Sequence, residues 1–117
     1  MDFHLISEKN IAQVESLWDY CFEKKDSHFF KWYFEEYCLK QNAVLGGFNK
    51  QGVLSTMVHL NPYTLKLRGM EAVTSYLVGV ATDPAARGRR ATKELFEMAF
   101  AILKAQGRFF VFLMPEY

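Results

Sequence analysis

Arg87, Arg89 and Arg90 crowd into one short turn of the segment LVGVATDPAARGRRAT, residues 77–92, just after a β-branched apolar run stops at Asp83-Pro84. Arginine holds a permanent charge and a fork of donors that matches phosphate oxygens. A helical pattern opens at Ala91. The first N–H groups of a helix have no intrahelical partner, and the macrodipole is positive there, so a pyrophosphate would satisfy both. Gly88 adds a small residue inside the turn. A ligand lying against Val80, Ala81 and Thr82 would be held through strand backbone, unless the Thr82 hydroxyl joins in. These features describe a ligand with a polyphosphate head and an extended, amide-bearing arm. The plain alternatives are a solvated turn whose charges aid solubility, or a nucleic-acid contact, for which only Lys66 and Arg68 offer a second basic site.

Other reactive side chains are isolated. His4, His28 and His59 read first as surface or hydrogen-bonded histidines, with His28 the strongest outsider for a base because it lies in a loop and aromatic region. Asp26, Glu35 or Glu36 could orient a cationic acceptor, although solvated helix carboxylates are commoner. Cys21 and Cys38 lack CxxC or Cys/His ligand spacing, so they read as reduced, buried thiols and no metal site is expected. No nucleophile elbow or P-loop competes.

The elements that must position the turn follow from periodicity. Phe3 to Ile6 alternates weakly as a first strand, and Ser7 is a candidate N-cap for a helix with Ile11, Val14, Leu17, Trp18, Cys21 and Phe22 on one face. After the charged break Glu23 to Asp26, a second helix is predicted over Ser27 to Leu39, carrying Phe29, Phe30, Trp32, Tyr33, Phe34 and Tyr37. That is more aromatic surface than one buried stripe needs, so the excess marks an acceptor-site wall or a subunit contact. Ala43 to Phe48 and Val53 to Leu60 form a hairpin across the Asn49 to Gly52 turn. Asn61-Pro62 is expected to interrupt the ladder, Tyr63 to Leu67 to resume it, Arg68-Gly69 to turn, and Met70 to Thr82 to return as one long strand ended by Pro84. The helix from Ala91 should bury Leu95, Met98, Ala99, Ile102 and Leu103, with Gly107 as its stop, before a final strand Phe109 to Leu113. Strand, crossover helix and strand imply a parallel, right-handed unit at the C-terminal end of a mostly antiparallel, mixed sheet, hence an α/β class.

Length and composition set the outer bounds. A chain of 117 residues, 50% hydrophobic and 23% charged, is one globular domain rather than a disordered segment. A net charge of +1 gives no global pull toward nucleic acid. No window approaches the ~20 apolar residues a membrane span requires, and MDFHLISEKN lacks signal-peptide character, which makes the cytoplasm the default compartment.

The arginine turn resembles motif A of the GNAT N-acetyltransferases, whose pattern after a strand is Arg/Gln-x-x-Gly-x-Gly/Ala. Arg87 takes the first position, Arg90 stands at the family's glycine, where it need not obstruct if its φ is helical, and Thr92 stands at the final Gly/Ala. The wider wording, GVATDPAARGRRATKELFEMAF with FEEYCLKQNAVLGGF, is most similar to the N-terminal acetyltransferase domain of Eis-like (enhanced intracellular survival) proteins. The resemblance implies a GNAT-like fold over residues 1–117. It also implies acetyl-CoA as cofactor, with acetyl-pantetheine paired to Val80, Ala81 and Thr82 and the pyrophosphate on Arg87, Gly88, Arg89, Arg90, Ala91 and Thr92. The implied activity is acetyl transfer to a primary amine of a small molecule or a protein. The family's acid is a tyrosine a few residues past Tyr117, and the base of the Eis branch is a distant C-terminal carboxylate, so no catalytic residue is assigned. The alternative is a non-catalytic CoA-binding or oligomerisation module, favoured by Arg90, Thr92 and the absent acid. The apolar FFVFL strand near the chain end further leads us to expect a domain cut short after Leu113 that self-associates.

Overall fold

The computed structural model describes residues 1–22, 31–88, 90–107 and 111–113. Its longest elements are two strands joined by a two-residue turn. Strand β3 (Leu54–Leu67) and strand β4 (Met70–Thr82) pair antiparallel from Leu67↔Met70 to Thr56↔Thr82. Arg68 and Gly69, with φ of 51° and 80°, supply the two left-handed residues that match a tight hairpin to the right-handed strand twist. Strand β1 (Asp2–Leu5) and strand β2 (Ala43–Phe48) extend the sheet antiparallel on the β3 side. On the other side β5 (Val111–Leu113) runs alongside Ser75–Leu77 of β4 in parallel, giving the order β1-β2-β3-β4-β5.

The predicted break at Asn61-Pro62 does not occur: both residues stay in β3, opposite Tyr76 and Ser75. The reason lies in β2, whose ladder ends at Ala43↔Leu60. Beyond that point no strand among the described residues lies on the β2 side of β3, where a missing N–H costs no ladder bond.

Two helices cover opposite faces. Helix α1 (Ile11–Cys21) buries Val14, Leu17 and Trp18 against Val44, Phe48, Met57 and Ala81. Ser7 does not cap it; a 3-10 turn over Glu8–Asn10 intervenes, and the Ser7 side chain makes no capping bond. Helix α2 (Ala91–Ala105) buries Leu95, Ala99 and Leu103 against Leu45, Val58, Leu60 and Leu77. Met98, expected to point inward, is 40% exposed, because it flanks the i, i+4, i+8 stripe that the sheet can cover. Gly107, φ 74°, follows the helix as anticipated.

The segment predicted as an aromatic helix is only partly described, with Asp26, His28, Phe29 and Phe30 outside the described residues. Tyr33–Tyr37 forms a π-helical turn, closed by the Cys38 N–H donating to the Tyr33 carbonyl at 2.7 Å. It ends early because the Asn42 side-chain carbonyl captures the Leu39 N–H at 2.8 Å, a side-chain bond that competes with helix continuation. Tyr33 and Phe34 enter the α1 core, Tyr37 packs at its margin, and Trp32 is exposed.

Candidate active site

Within β4 the register against β3 jumps from Met57↔Ala81 to His59↔Val78, so β4 carries one residue more than its partner across that step. Gly79 occupies the bulge with φ +64°. A Cβ there would stand 2.6 Å from the Trp18 ring and 2.8 Å from the His59 ring, so glycine is required both for its backbone conformation and for the aromatic packing. The bulge bends β4 immediately before Val80. On the opposite edge, pairing with β5 covers Ser75–Leu77 alone. From Val78 to Thr82, therefore, no strand among the described residues lies against that edge. Side chains there alternate: Ala81 packs with the α1 core and Val80 against the α2 core, leaving the edge itself lined by backbone.

The turn beyond β4 is built locally. The Asp83 N–H donates to the Ser55 carbonyl at 2.7 Å. Its carboxylate accepts from the Ala85 N–H at 2.9 Å and caps the 3-10 turn Pro84–Ala86. Arg87 then folds back, its Nε–H donating to the Thr82 carbonyl at 3.0 Å, which leaves the end of the exposed guanidinium available. Gly88 takes φ 80°. The condition of a helical φ at Arg90 is not met: the residue sits at φ +62° just before α2, the left-handed region in which a glycine is favoured. Among the described residues no side chain caps α2, and the Glu94 N–H donates to the Arg90 carbonyl at 3.0 Å. Among the described residues the N–H groups of Ala91, Thr92 and Lys93 are thus left over at the helix start. The Thr82 hydroxyl lies 2.8 Å from that of Thr56 and 2.8 Å from that of Thr92, a chain of hydroxyls that ties β3, β4 and α2 together. Of the sequence-derived site residues, Thr82 is in direct contact with both Arg87 and Thr92. Val80, Ala81, Gly88, Arg90 and Ala91 complete the path from strand edge to helix start, and Arg89 lies outside the described residues.

A buried polar cluster beside the bulge had no counterpart in the sequence reading. The Tyr33 hydroxyl and His59 Nδ1 share a hydrogen bond of 2.5 Å. Asn42 Nδ2–H donates to the Tyr33 oxygen at 3.0 Å and to Asn61 Oδ1 at 2.8 Å. Burial drives the His59 imidazole down to about pKa 3 and raises the Tyr33 phenol, so both are neutral at ordinary pH. The lone glycine in a β-branched run was the available signal for the bulge; the Tyr33–His59 pair, 26 residues apart, had none. His4 is exposed and stacks on Phe48 at 4.5 Å, and Glu35 and Glu36 are exposed. Cys21 and Cys38 are free thiols, and burial pushes the Cys38 thiol up to about 12. Among the described residues no group of histidine, cysteine, aspartate and glutamate could hold a metal, and no helix is long and apolar enough to cross a membrane. A groove of about 400 Å³ between α1 and the β2–β3 turn, lined by Gln13, Ser16, Tyr20 and Val53, touches the arginine turn only at Asp83. The candidate site is accordingly an open strand edge rather than a cavity.

The model of the acetyltransferase (GNAT) domain matches residues 2–117. The chain belongs to that family. No curated protein matches the sequence. Among solved structures, this GNAT domain is similar to a probable N-acyltransferase of unknown function from Enterococcus faecalis, with TM-score 0.87 and 18% identity over 100% of this chain. It spans only 30% of that protein. It is also similar to a ribosomal-protein-alanine N-acetyltransferase from Brucella melitensis, with TM-score 0.75 and 14% identity over 99% of this chain and 81% of that one. An aminoglycoside 6'-N-acetyltransferase from Acinetobacter haemolyticus gives TM-score 0.73 and 17% identity over 98% and 79%. At these identities the likeness is one of fold, an α/β GNAT-like architecture built on four antiparallel strands.

Proposed function

We propose that this GNAT domain binds acetyl-CoA along Val80, Ala81 and Thr82 and transfers its acetyl group to a primary amine. The observation that carries this reading is the free edge of β4 between the Gly79 bulge and the arginine turn. That edge offers backbone partners to an amide-bearing arm, and it leads straight to the uncapped start of α2 with Arg87 and Arg90 beside it. The donor set therefore fits the cofactor: strand backbone for the pantetheine, helix N–H groups and guanidinium for the pyrophosphate. When bound, the cofactor supplies an activated thioester. An amine acceptor is the chemistry shared by the alanine and aminoglycoside enzymes named above. Within the family we place the chain in the Eis-like branch, on the wording of residues 34–48 and 79–100, and read β4, α2 and β5 as its parallel crossover unit, supported by the Ser75↔Val111 to Leu77↔Leu113 ladder. A second reading, a CoA-binding module without turnover, is favoured by Arg90 at φ +62° in the glycine position.

Calorimetry with acetyl-CoA tests the site. Arg87→Ala should weaken binding by about 1.5–3 kcal/mol, the scale of a charge-assisted hydrogen bond. Unchanged affinity in that variant would remove the pyrophosphate from this turn. Acetyl-CoA consumption across a panel of primary amines then separates the enzyme from the silent module.

A further inference from the structure

Thr56, Thr82 and Thr92 form a row of three hydroxyls with 2.8 Å between neighbours. Each hydroxyl carries a single proton, so the two contacts use two protons and one is left over. Among the described residues the three hydroxyls make no other hydrogen bond, and elimination therefore places the spare proton. If the row ran inward, from Thr92 through Thr82 to Thr56, the proton would be stranded on Thr56, which is fully buried. If both ends donated to Thr82, it would be stranded there, on a residue that is 8% exposed. Either arrangement leaves a buried donor without an acceptor, which is costly. Only the outward run, from Thr56 through Thr82 to Thr92, delivers the spare proton to a half-buried side chain that a ligand can reach. In that run the Thr92 oxygen accepts and its O–H is free to donate. The surroundings are donors as well. Thr82 takes the Arg87 Nε–H on its carbonyl, so the guanidinium and the Thr92 hydroxyl are anchored on the same residue, beside the free N–H groups at the start of α2. The family pattern has glycine or alanine at this position, so the hydroxyl is a feature of this chain.

We propose that the Thr92 hydroxyl is a side-chain phosphate donor, which gives its proton to a pyrophosphate oxygen of the cofactor. Thr82 and Thr56 are positioning residues that hold the Thr92 oxygen in the accepting role and so keep its proton turned outward. The proposal rests on the acetyl-CoA reading and adds to it a contact that the family's glycine or alanine does not make. Thr92→Ala, which installs a residue the family pattern itself allows and a strong helix former, tests it. In calorimetry that variant should bind acetyl-CoA about tenfold more weakly than the parent, and Thr92→Ser, which keeps the hydroxyl, should bind nearly as tightly as the parent. Acetyl-pantetheine, which lacks the pyrophosphate, should shift the backbone amides of Val80–Thr82 equally in the parent and in Thr92→Ala when titrated by NMR. Equal losses for both ligands would make Thr92 a brace of the turn rather than a phosphate contact and would overturn the proposal, as would a serine variant as weak as the alanine one. Arg87→Ala keeps the two readings apart: if it weakens acetyl-CoA binding while Thr92→Ala does not, the cofactor site stands and the proposal falls. If the parent binds neither ligand, the cofactor reading fails and the proposal falls with it.

Discussion

A histidine enclosed as completely as His59 is held neutral by desolvation, which lowers its pKa from 6.5 to about 3. The sign of the pH effect follows. The unfolded chain binds this proton near pH 6.5 and the folded one does not, so the stabilisation is complete above that value and is lost as the pH falls toward 3. The slope from this group alone approaches 1.4 kcal/mol per pH unit. Denaturant melts of the parent and of His59→Gln between pH 7 and 4 measure it, and the variant should show the shallower loss. Parallel curves would show that His59 does not govern acid sensitivity. Asn42 explains why the pair tolerates burial: one amide ends the π-helical turn at Leu39 and supports the Tyr33 hydroxyl.

Among elements, the junction between β4 and α2 carries both the proposed site and a local conflict. Arg90 places its charge at the helix start but holds φ +62°, a region that costs an L-residue with a side chain about 1–2 kcal/mol. Arg90→Gly should raise stability by about 1 kcal/mol after the added freedom of glycine in the unfolded chain is subtracted. Chemical denaturation decides this, and a destabilised variant would mean that the Arg90 side chain holds the turn. Much of this junction was legible in the sequence because its causes are local. Asp83-Pro84 ends the strand, the arginines and Gly88 follow, and Ala91 opens the helix. The φ of Arg90 was not legible, since nothing in the residue type announces a left-handed backbone. Pro62 misled for a different reason: whether it breaks a ladder depends on how far β2 extends, a fact held by residues 43–48 rather than by its neighbours. The Tyr33–His59 contact was hidden likewise, because each partner acquires its role only when α1, the π-helical turn and β3 converge.

At the scale of the molecule, the sheet separates two cores, one under α1 and one under α2. Leu17→Ala and Leu95→Ala should each cost about 2–5 kcal/mol, and the double variant should equal their sum to within about 0.5 kcal/mol, as for sites without shared partners. A larger coupling energy would show that the sheet transmits strain between its faces. The tight Arg68-Gly69 turn has a consequence for the path by which the chain reaches this state. It joins the two longest strands as sequence neighbours, so their ladder closes with little loop entropy, whereas β5 meets β4 only after α2 has crossed. The hairpin is therefore the expected folding nucleus and the α2 face the later addition. In stopped-flow kinetics Leu60→Ala should chiefly slow folding, and Leu103→Ala should chiefly speed unfolding. The reverse assignment would place the nucleus at α2. On this order, the free edge of β4 and the helix start that face each other in the finished site are brought together last.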